Sequence, residues 1–490
     1  MESYILSFDQ STSTTKALLF DQDGNLVARS DRAHRQIVND RGWVEHDGEE
    51  IIANLYAATQ VLLQESGVDR SRIKGVALSN QRETTIAWDR STGKSLCNAI
   101  VWQCGRAQHI CDELDASKAF IHSRTGLHLS PYFSAAKMAW LMRMIPAVRE
   151  QAETGTLVLS TMDSYVLYHL SEEKVIKTEA SNASRTQLLN IHTGQWDEEV
   201  TAIFGIPLSA LPEICDSNAL FGYTTLGGLL EHPVPIHGIL GDSQGALYAQ
   251  GCLDPGSIKA TYGTGSSVMM NIGTKSLFSE DLVTSIAWSL DGECTYVLEG
   301  NVNYSGATIS YLVDDLGLLK SVKEVEMLAQ KAKDIEGLYI VPAFSGLGAP
   351  YWDANARGLI TGLDRRCTKA EIARAAEQAI AYQIADIVFL MDEQSGHRIK
   401  TIGVDGGATN DTYLMQFQAD ILQCSLNVSA IEELSGLGPA LLCAQTCGVI
   451  EGGTSRMRKT KVTYQSQMSV QERDRRYQGW KRAVSRAMVD

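Results

Sequence analysis

The sequence lacks several features that mark whole classes of protein. No run of 18 apolar residues occurs, and the N-terminus has neither the basic start nor the apolar run of a secretory signal. The ten cysteines form no paired Cys-x-x-Cys pattern, so structural zinc is not indicated. Only ten prolines are present, without a proline-rich linker. We therefore expect a cytoplasmic protein of compact domains, with no stable insertion into a membrane.

Positive charge is also scarce. The chain has 43 Lys and Arg against 58 Asp and Glu, and this balance argues against strong binding to nucleic acid, which requires a basic face. Two nucleotide-binding patterns are missing: no Walker motif ends in Gly-Lys-Ser/Thr, and no G-x-G-x-x-G follows a predicted strand. The 44% of hydrophobic residues excludes a disordered chain, and 490 residues suffice for two large domains.

Two segments of the chain begin in the same way. Each has a strand, a turn rich in small hydroxyl residues and a second strand, at 4–9, 10–15 and 16–20 in the first segment and at 257–262, 263–267 and 268–272 in the second. Strands then alternate with helices, which predicts an α/β fold in two halves, residues 1–253 and 254–490. Turns of this kind can direct N–H and O–H groups onto an anion.

The motif Gly241-Asp242-Ser243-Gln244-Gly245 has two interpretations. It matches the nucleophile elbow of serine hydrolases, with a predicted strand at 236–240 and a predicted helix at 246–250. However, only His397 lies downstream, and no oxyanion loop is visible. In the other interpretation Asp242, at a strand end, is a general base for a substrate hydroxyl.

Polar residues follow other predicted strands. Arg82 and Glu83 come after a buried strand and can bind neighbouring hydroxyls as donor and acceptor, or can form a surface ion pair. Trp102 could face the C–H side of a polyol, although a core Trp is the more frequent case. Asp9 ends the first strand and could hold Mg²⁺.

Taken together, these segments resemble the FGGY carbohydrate kinases, and among them the glycerol kinases, over nearly the whole chain. The matching stretches include 8–10, 42–47, 80–86, 100–104, 131–134, 182–186, 261–265, 342–352 and 404–408. The resemblance implies the actin/Hsp70-like ATPase fold, with two RNase H-like domains around a central cleft. It also implies ATP-dependent phosphorylation of a primary hydroxyl of a small polyol, with glycerol as the leading substrate and glycerol 3-phosphate as its product.

The resemblance further implies cofactors, partners and site residues. ATP and Mg²⁺ are the cofactors, and the chain is expected to form a homo-oligomer, either a dimer or a tetramer. Asp242 is the general base, and Asp9 and Asp242 lie near the metal. The polyol-binding positions are Arg82, Glu83, Trp102, Tyr132, Asp242, Ser243 and Ser267. The nucleotide positions are Thr12, Ser13, Thr14, Lys16, Thr264, Gly306, Ser310, Gly407 and Asp411.

Some of these positions depart from the family's pattern. Ser243 stands where the family has Gln, and Ser267 stands where a Phe commonly lines the pocket. Both changes enlarge the predicted pocket, so a polyol or sugar of four or five carbons is the alternative substrate. Ser310 and Asp411 replace the usual Gln and Asn, and the Arg used for inhibition by fructose bisphosphate is missing from the loop at 231–233.

Overall fold

The computed structural model of the chain describes residues 2–353, 355–450 and 459–488. The strands are, in chain order, β1 (Tyr4–Gln10), β2 (Thr14–Asp21), β3 (Leu26–Ala33), β4 (Ile37–Val38), β5 (Val44–His46), β6 (Ile73–Asn80), β7 (Thr85–Asp89), β8 (Ala99–Ile100), β9 (Leu157–Thr161), β10 (Lys177–Glu179), β11 (Leu189–Asn190), β12 (Gln195–Trp196), β13 (Glu213–Cys215), β14 (Tyr223–Thr224), β15 (Val234–Gly241), β16 (Ile258–Tyr262), β17 (Ser266–Gly273), β18 (Val283–Leu290), β19 (Glu293–Val302), β20 (Tyr339–Val341), β21 (Leu359–Thr361), β22 (Thr401–Asp405), β23 (Ser425–Ser429) and β24 (Thr460–Tyr464). The helices are α1 (Gly48–Glu65), α2 (Gln108–Glu113), α3 (Lys118–Thr125), α4 (Ser134–Met144), α5 (Pro146–Thr154), α6 (Met162–Leu170), α7 (Ala180–Ser184), α8 (Glu198–Phe204), α9 (Asp242–Ala249), α10 (Gly306–Ser310), α11 (Val322–Lys331), α12 (Lys369–Ser395), α13 (Thr412–Leu422), α14 (Leu434–Thr446) and α15 (Val470–Ala487).

Two mixed sheets form the centre of the molecule. The first has the strand order β14-β15-β6-β1-β2-β3, and the second has the order β18-β19-β17-β16-β22-β23-β24. In the first sheet, β1 pairs antiparallel with β2 and parallel with β6. In the second, β16 pairs antiparallel with β17 and parallel with β22. The repeated opening predicted from the sequence, a hairpin at the start of each half, is therefore confirmed.

Local sequence explains the principal elements. All seven residues of β1 are buried, as expected for a strand covered on both faces, whereas the edge strand β3 is largely exposed. The alanine-rich α12 begins with a capping box, in which Thr368 and Glu371 satisfy each other's backbone N–H groups, and it ends at Gly396 with a left-handed φ of 68°.

Among the described residues, no helix has both the length and the apolar character needed to cross a bilayer.

Helices α9 and α14 lie between the two sheets. One buried cluster joins Ile5 and Leu18 of the first sheet, Met269 and Trp288 of the second, and Leu437 of α14. Although α14 belongs to the second half of the sequence, it packs against β1, β6 and β15 of the first sheet. Outside this shared core, α1 covers the first sheet and α12 covers the second. The division of the chain between residues 253 and 254 stays a prediction, since α14 contributes to both halves.

The backbones of α9 and α14 touch at two glycines. A Cβ atom at Gly438 would lie 2.0 Å from the carbonyl oxygen of Gly245, and a Cβ atom at Gly245 would lie 2.5 Å from that of Ser435. Only hydrogen side chains allow this approach. Helix α9 starts at Asp242 and not at residue 246 as the sequence predicted. Gly241 supplies the extended N-cap, so Asp242 lies in the first helical turn.

We expect Gly438→Ala to lower the free energy of unfolding by about 1–3 kcal/mol, because the added methyl forces the two helices apart. Chemical unfolding followed by circular dichroism measures the change. Gly105→Ala is the matched control, since a Cβ atom there meets nothing within 4 Å. Equal stability of the two variants would contradict the close crossing.

Candidate active site

Three strands of the first sheet end at the same edge. Because β1, β6 and β15 run parallel, their carboxyl ends bring Asp9, Arg82 and Asp242 together. The Asp242 side chain is 35% exposed, whereas that of Arg82 is 5% exposed. Asp242 Oδ1 accepts from the backbone N–H of Ser243 at 2.6 Å and lies 3.3 Å from Arg82 Nε. No hydrogen bond from the described residues reaches Oδ2, which leaves that oxygen free to accept a proton.

A buried chain of alternating charges extends from Asp242. Arg82 donates from both terminal nitrogens to the Glu299 carboxylate, at 2.8 and 2.9 Å. Arg185 lies 2.9 Å from Glu299 and donates from Nε to Glu83 Oε1 at 2.6 Å. Burial alone would raise the pKa of Glu299, but Arg185 and Arg82 lower it well below its usual range. Arg82 and Glu83 are therefore not a surface ion pair, which was one of the two predictions for them.

The backbone of Glu83 is strained. Its φ of 60° lies in the left-handed region, which costs a non-glycine residue about 1–3 kcal/mol. The hydroxyls of Ser134 and Thr85 donate to its carbonyl oxygen, at 3.0 and 3.1 Å, and hold this conformation. With Oε1 bound to Arg185, the strained turn directs the Glu83 carboxylate into the charge network.

Two aromatic side chains stand beside the network. The ring centroids of Trp102 and Tyr132 are 5.5 Å apart in an edge-to-face arrangement. The indole N–H of Trp102 donates to Thr12 Oγ1 at 3.0 Å, so this ring reaches the first hydroxyl-rich turn. The buried Lys137 ammonium donates to the carbonyl oxygens of residues 131–133, which fixes the loop that carries Tyr132.

The two serines that replace larger family residues lie at different places. Ser243 follows Asp242 in the first turn of α9. Ser267 lies on β17 opposite Asn301 of β19, and its buried hydroxyl has no hydrogen-bond partner among the described residues. Asn301 in turn donates to Glu299 Oε1 at 3.3 Å, which connects this strand pair to the charge network.

A serine-hydrolase arrangement does not form around Ser243. Its backbone N–H is bound to Asp242, and within the described part of the chain no histidine bonds to its hydroxyl. His397, which was the one downstream histidine, lies against Gly256 at the start of the second half. The motif at 241–245 therefore exposes the carboxylate of Asp242 and does not assemble a triad on the serine.

The first hydroxyl-rich turn is held from several sides. The side chains of His34 and Gln36 both contact the carbonyl oxygen of Thr12 at 2.8 Å, and the Ser11 hydroxyl donates to Thr14 O at 3.0 Å. These bonds fix the backbone around Thr12, Ser13 and Thr14. Lys16, also predicted at the phosphates, pairs with Asp9 at 3.2 Å and with Glu433 at 2.7 Å.

The surroundings of Asp9 suit a divalent cation. Asp9 Oδ1 is buried and has no hydrogen-bond partner among the described residues. Burial raises the pKa of Asp9 to about 6. Lys16 opposes this rise, and the carboxylates of Asp242 and Glu433 add to it. Since Mg²⁺ is commonly held by one or two carboxylates plus phosphate oxygens, Asp9 and Asp242 fit its requirements.

A cleft of about 520 Å³ opens from the second hydroxyl-rich turn. It brings together the predicted nucleotide residues of the second half, which are Thr264, Gly306, Ser310, Gly407 and Asp411. The backbone N–H groups of residues 305 and 307 donate to Thr264 O at 3.1 and 3.0 Å. A Cβ atom at Gly306 would lie 2.7 Å from the Gly263 carbonyl oxygen, so the turn packs closely on α10. Apolar side chains on the walls of this cleft suit the flat faces of a nucleotide base.

The sequence prediction missed four charged residues of this site. Glu299 lies outside the stretches that carry the family resemblance, whereas Arg185 lies in one of them, at 182–186. Glu433 comes from the N-cap of α14, and Glu377 from the middle of α12. The last two have no local motif, because the packing of distant helices brings Glu377 to the cleft and Glu433 to Lys16. The roles of the predicted residues stay predictions.

We expect Glu299→Gln to cost about 3–5 kcal/mol of unfolding free energy, because it leaves two buried guanidiniums without their shared carboxylate. Denaturant titration measures the loss. Glu113→Gln is the control, since Glu113 forms an exposed ion pair with Arg143 whose loss should cost less than about 1 kcal/mol. Similar losses in both variants would mean that the buried network is not stabilising.

Comparison with known proteins adds to this geometry. The N-terminal domain of the FGGY family of carbohydrate kinases matches residues 4–249, and the C-terminal domain matches residues 258–447. The chain is 42% identical to the glycerol kinase of Shewanella pealeana, over 99% of both chains. It is also 42% identical to that of Desulforamulus reducens, over 99% of this chain and 98% of the relative.

Solved structures give the same picture. Glycerol kinase from Plasmodium falciparum with ADP aligns with a TM-score of 0.94 and 33% identity, over 100% of this chain and 99% of that one. Gluconate kinase from Lactobacillus acidophilus, at 21% identity, aligns over 99% and 97% of the two chains with a TM-score of 0.87 and so shares the fold. The predicted two-domain α/β fold around a cleft is confirmed, and the chain belongs to the FGGY family of carbohydrate kinases.

Proposed function

We propose that this chain transfers the γ-phosphoryl group of ATP to a primary hydroxyl of glycerol, giving glycerol 3-phosphate and ADP. The observation that carries the proposal is the position of Asp242. Its carboxylate is the exposed end of the buried charge network, at the same sheet edge as Asp9, and its charge raises the pKa of Asp9. The glycerol kinases at 42% identity over the full chain support the same acceptor.

In the proposed mechanism Asp242 is the general base. Its Oδ1 is held by Arg82 and the Ser243 N–H, and its free Oδ2 takes the proton of the attacking hydroxyl. The hydroxyl oxygen then bonds to the γ-phosphorus while the bond to the bridging oxygen of ADP breaks. Magnesium on Asp9 and Asp242 would neutralise phosphate charge when bound. Arg82 and Glu83 bind the remaining hydroxyls, and Trp102 with Tyr132 covers the carbon side.

In this proposal the two hydroxyl-rich turns and the 520 Å³ cleft position ATP, the phosphoryl donor. Thr12, Ser13, Thr14 and Lys16 surround the phosphates from the first half, and Thr264 does so from the second. The nucleotide base of ATP enters the 520 Å³ cleft of the second half. Closure of the two halves over the reactants would exclude water, which competes with the polyol for the phosphoryl group. Association into a dimer or tetramer and a cytoplasmic location remain predictions from the family resemblance.

We expect Asp242→Asn to lower kcat about 10²–10⁴-fold, because the amide keeps the size of the carboxylate but accepts no proton. Coupled detection of ADP release with glycerol measures the rate. Binding of ADP in calorimetry should change little. Asp254→Asn, at an exposed position, is the control with wild-type kcat. If kcat for Asp242→Asn stayed within threefold of wild type, Asp242 would not be the general base.

A larger polyol is the second candidate acceptor. The buried Ser267 hydroxyl without a partner, next to Asn301, offers hydrogen bonds that three-carbon glycerol does not need. Space left beside glycerol would hold water and orient the substrate less tightly. We therefore propose a weaker glycerol KM than in relatives with Gln and Phe at these positions, together with turnover of a four- or five-carbon polyol.

The enlarged pocket is tested by kcat/KM for glycerol, erythritol, threitol, ribitol and xylitol. In the double variant Ser243→Gln/Ser267→Phe, efficiency with glycerol should rise and turnover of the longer polyols should fall, because the larger side chains fill the pocket. The wild-type chain is the reference. If it uses glycerol alone and the double variant gains nothing, the second candidate is wrong.

A further inference from the structure

An acidic side chain without a hydrogen-bond donor lies in the wall of the 520 Å³ cleft. Glu377 projects from the middle of α12, is 1% exposed and lines the cleft together with Asp411. Neither of its carboxyl oxygens accepts from an N–H or hydroxyl group of the described residues, and a side-chain hydrogen bond joins it to the Asp411 carboxyl. With one oxygen shared with Asp411, the other is a buried acceptor without a donor, which costs about 1–3 kcal/mol until a ligand supplies one.

The neighbouring groups make this end of the cleft acidic. Asp411 caps α13, and its Oδ1 accepts from the Leu414 N–H at 2.9 Å. Glu326 of α11 accepts from Thr412 at 3.3 Å. Arg374, one turn before Glu377, donates to the carbonyl oxygen of residue 332 and lies 5.1 Å from the Tyr413 ring. Lys323 of α11 also lines the cleft, but its side chain is exposed.

The Glu377 and Asp411 carboxyls are joined by a hydrogen bond, with Glu377 buried and Asp411 half-buried, and such a pair does not carry two negative charges at neutral pH. Burial, and after it the Asp411 carboxylate, raise the pKa of Glu377 to about 10; Glu326 adds to the rise and Arg374 opposes it. Glu377 is thus a neutral acid. Its O–H can donate to Asp411, and its carbonyl oxygen accepts. The pair therefore presents acceptors to the cleft and requires donors from the ligand.

We propose that Glu377, together with Asp411, selects the phosphoryl donor through an amino group on the edge of its base. Ile309, Ile380 and Leu414 line the same cleft and offer apolar surfaces for the faces of a planar ring. The carboxyl pair lines the same cleft, and because the polar atoms of a planar base lie on its edge, the pair would meet an edge of the ring. Of the groups on a purine edge, an exocyclic amino group is the one that supplies N–H donors without adding an acceptor. This inference rests on the proposed function, because it assumes a nucleotide donor.

The test compares two nucleotides that differ only in that amino group. ADP and purine riboside 5′-diphosphate are titrated into the full-length protein by calorimetry, without any polyol. Wild type should bind ADP about 10-fold or more tightly, because the analogue leaves the buried acceptor unpaired. Glu377→Leu, which removes the acceptor, should reduce this preference to less than about threefold.

A second variant separates hydrogen bonding from size. Glu377→Gln reproduces the neutral acid, since its N–H₂ can donate to Asp411 and its carbonyl oxygen can accept from the base. It should keep the roughly 10-fold preference. Glu393→Leu makes the Glu-to-Leu change at an exposed position of the same helix and should also keep it. Retention of the preference by Gln but not by Leu is a pattern that a merely structural role would not produce.

Several results would overturn the inference. Equal affinity of wild type for the two nucleotides would do so, as would an unchanged preference in Glu377→Leu or a lost preference in Glu377→Gln. Absence of nucleotide binding would overturn both this inference and the proposed function. If the preference for ADP follows the expected pattern but no polyol is phosphorylated, the inference holds and the proposed acceptor is wrong.

Discussion

The ion pair between Arg82 and Glu299 joins the two halves of the molecule beside Asp242. Arg82 follows a strand of the first sheet, and Glu299 belongs to a strand of the second. Removing these charges from water is costly, and the bidentate geometry and the second guanidinium of Arg185 help to compensate for it. Since Arg82 also holds Asp242, the position of the proposed base depends on contact between the halves.

The shared helical layer determines how that contact can change. With α9 and α14 packed between the two sheets, each half is continuous with the core of the other near the crossing at Gly245 and Gly438. Asp242 begins one of these helices, and Glu433 immediately precedes the other. The shared helical layer therefore carries both the proposed base and the carboxylate that pairs with Lys16.

The sequence predicted those parts of the site that local pattern determines. Strand, hydroxyl-rich turn and strand occur within 20 residues, so the repeated hairpin could be recognised, and Asp9 and Asp242 follow buried strands. The start of α9 was placed four residues late, because the apolar pattern begins after the polar first turn. Glu377 and Glu433 could not be predicted: helix packing between segments far apart in sequence brings Glu377 to the cleft and Glu433 to Lys16, and neither carries a local signature.

Because its indole N–H donates a hydrogen bond to Thr12, the Trp102 side chain has two roles in the proposed site. The ring forms a wall of the proposed acceptor pocket, and its N–H anchors the turn that faces the donor phosphates. Replacing the ring by Phe or Leu to admit another acceptor would also release the Thr12 hydroxyl. A substitution at Trp102 would therefore change both the choice of acceptor substrate and the way the turn holds the donor phosphates. The side chains of Ser243 and Ser267 have no such link, because neither hydroxyl forms a hydrogen bond to the first hydroxyl-rich turn among the described residues.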